Sequence, residues 1–181
     1  MLTIYKSLIR PLLEYNCEIW NPYRLKDIIE LEKIQRAFTF RIFGMQNFNY
    51  WERLDKLKLL SLQRRREKII ILNIWKIKNN LIPNSINLMF KDHARSQACK
   101  AVLPPLPKIK GNLLTKYENS FALKGAKLWN ALPSPLTRMS QISEFRSSLD
   151  KHLRSIPDRP PLSGYQNTNH NSLTELRPLG G

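Results

Sequence analysis

Glycine is scarce in this chain, with six among 181 residues. A fold built on many tight turns needs more of it, so an all-β architecture is disfavoured. Cysteine is scarcer still. Cys17 and Cys99 are the only two, no CxxC or paired-histidine spacing surrounds them, and a zinc site needs about four such ligands. Two isolated thiols suit a reducing compartment, where most cysteines are buried small hydrophobes. Acids are few, fourteen against thirty Lys and Arg. The aspartates are Asp27, Asp55, Asp92, Asp150 and Asp158, and none adjoins another. The paired carboxylates that hold two metals in nucleotidyl transfer are therefore missing from the sequence. Glu14 and Glu18 stand one helical turn apart and read as a solvated face. His93, His152 and His170 are scattered, no nucleophile elbow surrounds a Ser or Cys, and no glycine-rich phosphate loop occurs. Nothing here makes a positive case for an enzyme, a metal or a cofactor. No apolar run reaches bilayer length, and Lys6 and Arg10 make the first stretch a poor secretory signal. The expectation is an intracellular, soluble chain with no membrane partner, nucleus or cytoplasm left open.

What is present is helical periodicity. At 42% hydrophobic the chain can bury a core, and apolar positions recur every three to four residues. Tyr5, Leu8, Ile9, Leu12 and Ile19 place a helix between Leu2 and Trp20, kinked or restarted at Pro11 and ended by Pro22. A second runs from Lys26 to Phe43 with Leu31, Ile34, Phe38 and Ile42 as its apolar stripe, Glu32–Arg36 and Glu30–Lys33 as outer pairs, and Gly44 past its end. Asn49 to Glu52 forms a capping box, and Ser61 caps a helix to about Asn79 whose basic start faces water. From Leu81 to Lys116 prolines break the pattern, predicting a long connection. Thr115 to Glu118 reads as another capping box before a helix carrying Phe121, Leu128 and Trp129. Ile142, Phe145, Leu149 and Leu153 mark the last helix. The fold class expected is mostly α: an irregular bundle of about five to six helices over residues 1–154, with a basic, proline-containing connection and a disordered tail over 155–181.

The net charge is +16, with a pI near 10.2, and a field of that sign attracts polyanions. The surplus is central. Trp51 to Phe90 has nine Lys and Arg against three acids, and Lys91 to Lys127 has eight against two, so each stretch carries +6. Arg64, Arg65, Arg66 and Lys68 at a helix start, with Lys108, Lys110, Lys124 and Lys127 beyond, are the candidate phosphate-backbone contacts. Three consecutive arginines fan over most of a turn, so at least one must turn towards the buried side. Trp51, Trp75, Tyr117, Phe121 and Trp129 are candidates for base stacking, although aromatics at helical spacing are more often core.

Five motifs in register carry a resemblance. They are Tyr5-Lys6-Ser7 with Arg10-Pro11, Leu13-Glu14-Tyr15 and Trp20-Asn21-Pro22; Leu31 to Arg36; Tyr50, Arg53-Leu54, Leu57, Leu59, Ser61-Leu62 and Arg65-Arg66; Asn119-Ser120-Phe121 with Leu128 to Pro133; and Phe145, Arg146, Leu149 and Leu153. Together, over about Leu2 to Leu153, this resembles the segment that follows the palm in non-LTR, jockey-like retrotransposon reverse transcriptases. The closing motif has Arg146 where the family has Lys. The resemblance implies a helical thumb-and-beyond region that helps hold template and nascent duplex. The family's Asp-Asp polymerase hairpin lies upstream, and no Asp-Asp occurs here, so no catalytic residue carries over. On this reading the opening residues are interior sequence that has acquired a start.

The functional expectation is a truncated, non-catalytic remnant of an RNA-directed DNA polymerase, binding RNA or DNA weakly through phosphates and without sequence preference. Two alternatives stand beside it. One is a helical module that binds a protein partner or self-associates through the apolar face of residues 2–20. The other is a translated transposon remnant with no selected role.

Overall fold

The computed structural model describes residues 1–93, 98–108, 110–163 and 171–175. It is mostly helical with one small two-stranded sheet. The backbone divides into two compact units, Met1–Glu67 with Arg154–Gly181, and Lys68–Leu153.

In the first unit the opening run is α1 (Leu2–Ile4), a π-helical turn (Tyr5–Ile9) and α2 (Arg10–Glu14). Pro11 has no N–H to give Ser7, and the widened turn is the local answer: the Arg10 N–H reaches back five residues to the Tyr5 carbonyl. Asn16 takes a left-handed φ of 54°, which asparagine tolerates better than most residues, and separates α2 from α3 (Cys17–Trp20). Next come α4 (Leu25–Phe40) and α5 (Tyr50–Lys56). The expected capping box at α5 is present, with Asn49 Oδ1 accepting from the Glu52 N–H at 3.0 Å and Glu52 Oε2 from the Asn49 N–H at 2.8 Å.

Helix α4 turns a different face inward from the one its sequence suggests. Ile28, Glu32, Gln35 and Thr39 are buried, while Ile34 of the expected apolar stripe is 42% exposed. The cause is a polar chain assembled from distant segments. Tyr5 Oη donates to Gln35 Oε1 at 2.5 Å, and Gln35 Nε2 donates to Tyr50 Oη at 3.0 Å and to the Leu60 carbonyl at 3.1 Å. Tyr50 Oη in turn donates to Glu32 Oε2 at 2.7 Å, and the Gln63 N–H to Glu32 Oε1 at 2.8 Å. Buried polar groups persist when they are satisfied in this way. The helix also stops at Phe40 rather than Phe43, and Gly44, at φ +79°, sits in the turn beyond it. Of the outer pairs, Glu30–Lys33 forms at 2.6 Å, whereas Glu32 serves the buried chain.

Beside that chain Tyr50, Leu54, Leu59 and Leu162 form an apolar cluster, with Leu2, Trp51 and Leu57 against it. Leu162 belongs to the stretch expected to be a disordered tail. Part of that stretch, 164–170 and 176–181, lies outside the described residues. Within the described part, Asp158 accepts from the Ser61 N–H at 2.7 Å and from Ser61 Oγ at 2.8 Å, and Asn171 Nδ2 donates to Asp158 at 2.6 Å. A carboxylate supplied from 97 residues away thus satisfies Ser61, whose own Oγ accepts from the Arg64 N–H at 3.0 Å and starts α6 (Leu62–Lys78).

In the second unit the sequence beyond Glu67 of α6 is followed by β1 (Phe90–His93), β2 (Ala98–Ala101), α7 (Asn112–Glu118), α8 (Phe121–Asn130), α9 (Ser134–Arg138) and α10 (Ile142–Ser155). The strands pair antiparallel, Phe90 opposite Ala101 and His93 opposite Ala98. The long connection expected from Leu81 to Lys116 thus contains two paired strands and the start of α7, with 102–108 irregular between them. The second strand is buried through small residues, Ala98, Cys99 and Ala101, while Lys91 to His93 of the first are exposed, so neither shows an alternating apolar pattern. Asn130 holds the second strand by accepting from the Ala101 N–H at 2.8 Å and donating to its carbonyl at 2.9 Å. Thr115 is inside α7, and Ser120 rather than Thr115 caps α8. The core is aromatic. Phe145 stacks on Trp75 at 5.5 Å and lies 6.0 Å from Trp129, whose other neighbour is the edge of Phe90. The expected α10 stripe is fully buried at Phe145, Leu149 and Leu153, each such side chain contributing about 1.5–3 kcal/mol.

Among the described residues no helix is long and apolar enough to cross a membrane.

Candidate nucleic-acid interface

The arginine cluster singled out by sequence is consumed inside the first unit. Arg64 and Arg66 are 0% exposed, so two of the three arginines turn inward. Arg64 Nη2 donates to the Pro157 carbonyl at 3.2 Å and to the Asn171 carbonyl at 3.1 Å. Arg66 Nε donates to Asn21 Oδ1 at 3.1 Å, with its guanidinium 6.0 Å from the Trp20 ring. Burial lowers the Arg66 pKa, and the nearby Glu32 charge opposes that fall. Arg65 is half-buried and makes a two-pronged pair with Glu14, the Nη2–Oε2 arm at 2.8 Å. Glu14 is thereby a structural partner rather than part of a solvated face. In the second unit Lys68 Nζ lies 2.5 Å from Asp150 Oδ1. The basic start of α6, expected to face water, is instead a set of anchors, and Arg64 and Arg66 are withdrawn as phosphate contacts because a phosphate has no access to them.

The motif residues behind the resemblance converge in the same way. Tyr5, Glu32, Gln35 and Tyr50 come from three separate motifs and bond to one another. Glu14 and Asn21 receive Arg65 and Arg66. In the second unit Trp129 Nε1 donates to the Cys99 carbonyl at 2.8 Å. These side chains hold each unit together, and Trp75 and Trp129, at 1% and 0% exposure, are core rather than stacking platforms. Both cysteines are buried and free, and burial pushes the Cys17 thiol up to about 12.

The later lysines are placed differently. Lys108, Lys110 and Lys127 are exposed and Lys124 is half-buried. No acid occurs between Asp92 and Glu118. Tyr117 Oη donates to the Pro105 carbonyl at 3.0 Å, drawing the connection that bears Lys108 and Lys110 back towards α7, where Lys116 is also exposed. The second unit holds fourteen Lys and Arg against four acids, a net +10.

A site that the sequence reading missed lies in the first unit. A cleft of about 650 Å³ is lined by Lys33, Arg36, Arg41 and Arg53, together with Phe40 and Tyr50, and no carboxylate lines it. Arg53 is 4% exposed. It donates from Nε to Thr39 Oγ1 at 3.2 Å, and from its Nη atoms to the Phe48 carbonyl at 2.8 Å and the Arg36 carbonyl at 3.4 Å. All three acceptors are neutral. Burial lowers its pKa, and the Arg36 charge adds to the fall. The sequence signal was the acid-free run from Lys33 to Trp51, which carries Arg36, Arg41 and six aromatic residues.

Among the described residues no three of His, Cys, Asp and Glu stand together in a way that could hold a metal ion. No protein-family model, curated protein or solved structure matches this chain.

Proposed function

We propose that this chain is a non-catalytic helical module of the kind that follows the palm in non-LTR retrotransposon reverse transcriptases, and that it binds RNA or DNA weakly through the phosphate backbone. The observation that carries the reading is the one-signed surface of the second unit: Lys108, Lys110, Lys116 and Lys127 exposed on a stretch with Glu118 as its one acid. Lysines on a connection and on helix faces meet phosphates as point charges, which gives affinity without base reading. Arg65 and Lys68, spent on Glu14 and Asp150, drop out of this surface.

Anisotropy titrations of labelled single-stranded RNA and duplex DNA test it. Affinity should fall steeply with salt, with a log–log slope of roughly 0.7–0.9 per phosphate neutralised. Replacing Lys108, Lys110 and Lys127 by Gln should reduce that slope by about two to three and leave the melting temperature unchanged. Affinity that stays flat with salt, or that survives the triple replacement, overturns the reading.

A second reading has its own support. Ile4, Leu8, Leu12, Tyr15 and Ile19 are 54–82% exposed at near-helical spacing, an apolar stripe suited to a protein partner or a second copy. Light scattering over a concentration series should show association that Leu12→Lys and Ile19→Lys abolish. A monomer throughout, with no partner bound, removes this reading.

A further inference from the structure

The cleft of the first unit presents a different chemistry from the lysine surface. Its charges are guanidinium groups at fixed places rather than flexible ammonium groups. Lys33 is already engaged by Glu30 at 2.6 Å, which leaves Arg36, Arg41 and Arg53. Arg36 is half-buried and Arg41 exposed, so both are positioned to reach a ligand. Arg53 forms the floor. This buried cation is held by a hydroxyl, two carbonyls and the rings of Phe40 and Tyr50, with a second arginine close by and no carboxylate among its partners. Part of its desolvation penalty therefore stays uncompensated, and a bound anion relieves it. The Glu32 carboxylate does not supply that compensation, because it is spent on Tyr50 Oη and the Gln63 N–H. Beside the cations stand aromatic faces. Phe40 is 50% exposed, with the Arg53 guanidinium 5.5 Å from its ring centroid, while Lys56 Nζ already occupies a position 4.1 Å from Phe48. The volume, about 650 Å³, lies within the range of about 300–1,000 Å³ typical of small-ligand sites.

We propose that this cleft binds a nucleoside phosphate, with Arg36 and Arg41 gripping the phosphate above Arg53 and Phe40 supporting the base. Guanidinium forks match phosphate oxygens in pairs, and an exposed aromatic ring accepts the flat face of any base. The ligand is either a free mononucleotide or one nucleotide of a single strand, since both present the same groups. The proposal is independent of the lysine surface, which lies in the other unit, so each stands or falls alone.

Calorimetric titration of the full chain with AMP, inorganic phosphate, adenosine, a short oligo-deoxyadenylate and a poly-glutamate peptide tests it. AMP should bind saturably, at least tenfold tighter than phosphate or adenosine alone. Arg36→Gln with Arg41→Gln should weaken it at least tenfold. Phe40→Ala should bring AMP down to the level of phosphate while phosphate itself is unchanged. Both variants keep Arg53, and their melting temperatures report folding. Lys108→Gln with Lys127→Gln should leave AMP binding as it was. Tighter binding of the oligonucleotide than of AMP, lost in the Arg36/Arg41 variant, assigns the site to single strands; equal binding assigns it to free nucleotides. Absence of saturable AMP binding, insensitivity to the Arg36/Arg41 variant, or equal binding of the glutamate peptide overturns the proposal.

Discussion

The two units seal their interiors with different materials. In Met1–Glu67 with Arg154–Gly181 the buried side chains include Glu32, Gln35, Thr39, Arg53, Arg64 and Arg66, whereas in Lys68–Leu153 Thr137 is the one buried polar side chain among the described residues. The second interior is Trp75, Trp129 and Phe145 over Ile70, Ile71 and Ile74. An apolar interior gains by area and is indifferent to pH. A polar interior gains only where every partner is present, and it inherits the titration of its members. Orientation follows from the same contrast. The aromatic core fixes shape, while the hydrogen-bonded core fixes which residue faces which, and so leaves a cationic floor under the cleft.

Three measurements break or sharpen this comparison. The largest effect belongs to the apolar unit. Trp129→Ala should destabilise it by about 3–5 kcal/mol, equally at pH 5 and pH 8, with hydrogen exchange rising across Lys68–Leu153. A smaller loss, or one that varies with pH, would mean that the aromatic stack is not what holds this unit.

The next effect belongs to the polar unit. Burial pushes the Glu32 carboxyl up from 4.5 to about 7, against the hydrogen bonds from Tyr50 and Gln63. Between those pH values the folded chain holds a proton that the unfolded chain releases. This group's contribution to stability therefore declines as pH rises from about 4.5 to about 7, by at most about 3 kcal/mol, and is constant outside the window. Glu32→Gln cannot titrate, so the difference in melting temperature between it and the parent chain should shift across that window in the variant's favour. A constant difference would show that Glu32 is ionised throughout.

The smallest effect is a control on surface pairing. Lys68→Ala removes a partly exposed pair with Asp150 and should change stability by no more than about 1 kcal/mol, less in high salt.

The contrast also explains what could be read in advance. Helix α10 was legible residue by residue because Phe145, Leu149 and Leu153 meet an apolar core, the case for which periodicity is diagnostic. The Asn49–Glu52 box and the Ser61 cap were legible because their chemistry is local. Helix α4 was not, since its inward face is Glu32, Gln35 and Thr39, and the tyrosines that make such a face stable come from residues 5 and 50. The arginines of α6 read as solvated for the same reason: their acceptors are Glu14, Asn21, Pro157 and Asn171. The paired strands were not legible because each is four residues long and neither alternates apolar with polar residues. The cleft arginines stand singly, spaced five and twelve residues apart in the chain, and only the fold groups them.

The bond from Asp158 to Ser61 sets an order for synthesis. The first unit is split in the chain, and the carboxylate that holds its capping residue Ser61 leaves the ribosome only after the whole of Lys68–Leu153 has emerged. The inserted unit can therefore fold while its host waits with unsatisfied backbone. A released fragment ending at Ser155, which holds all of Lys68–Leu153 but not Asp158, should already protect its tryptophan core and still leave Ser61, Arg64 and Leu59 open to protease.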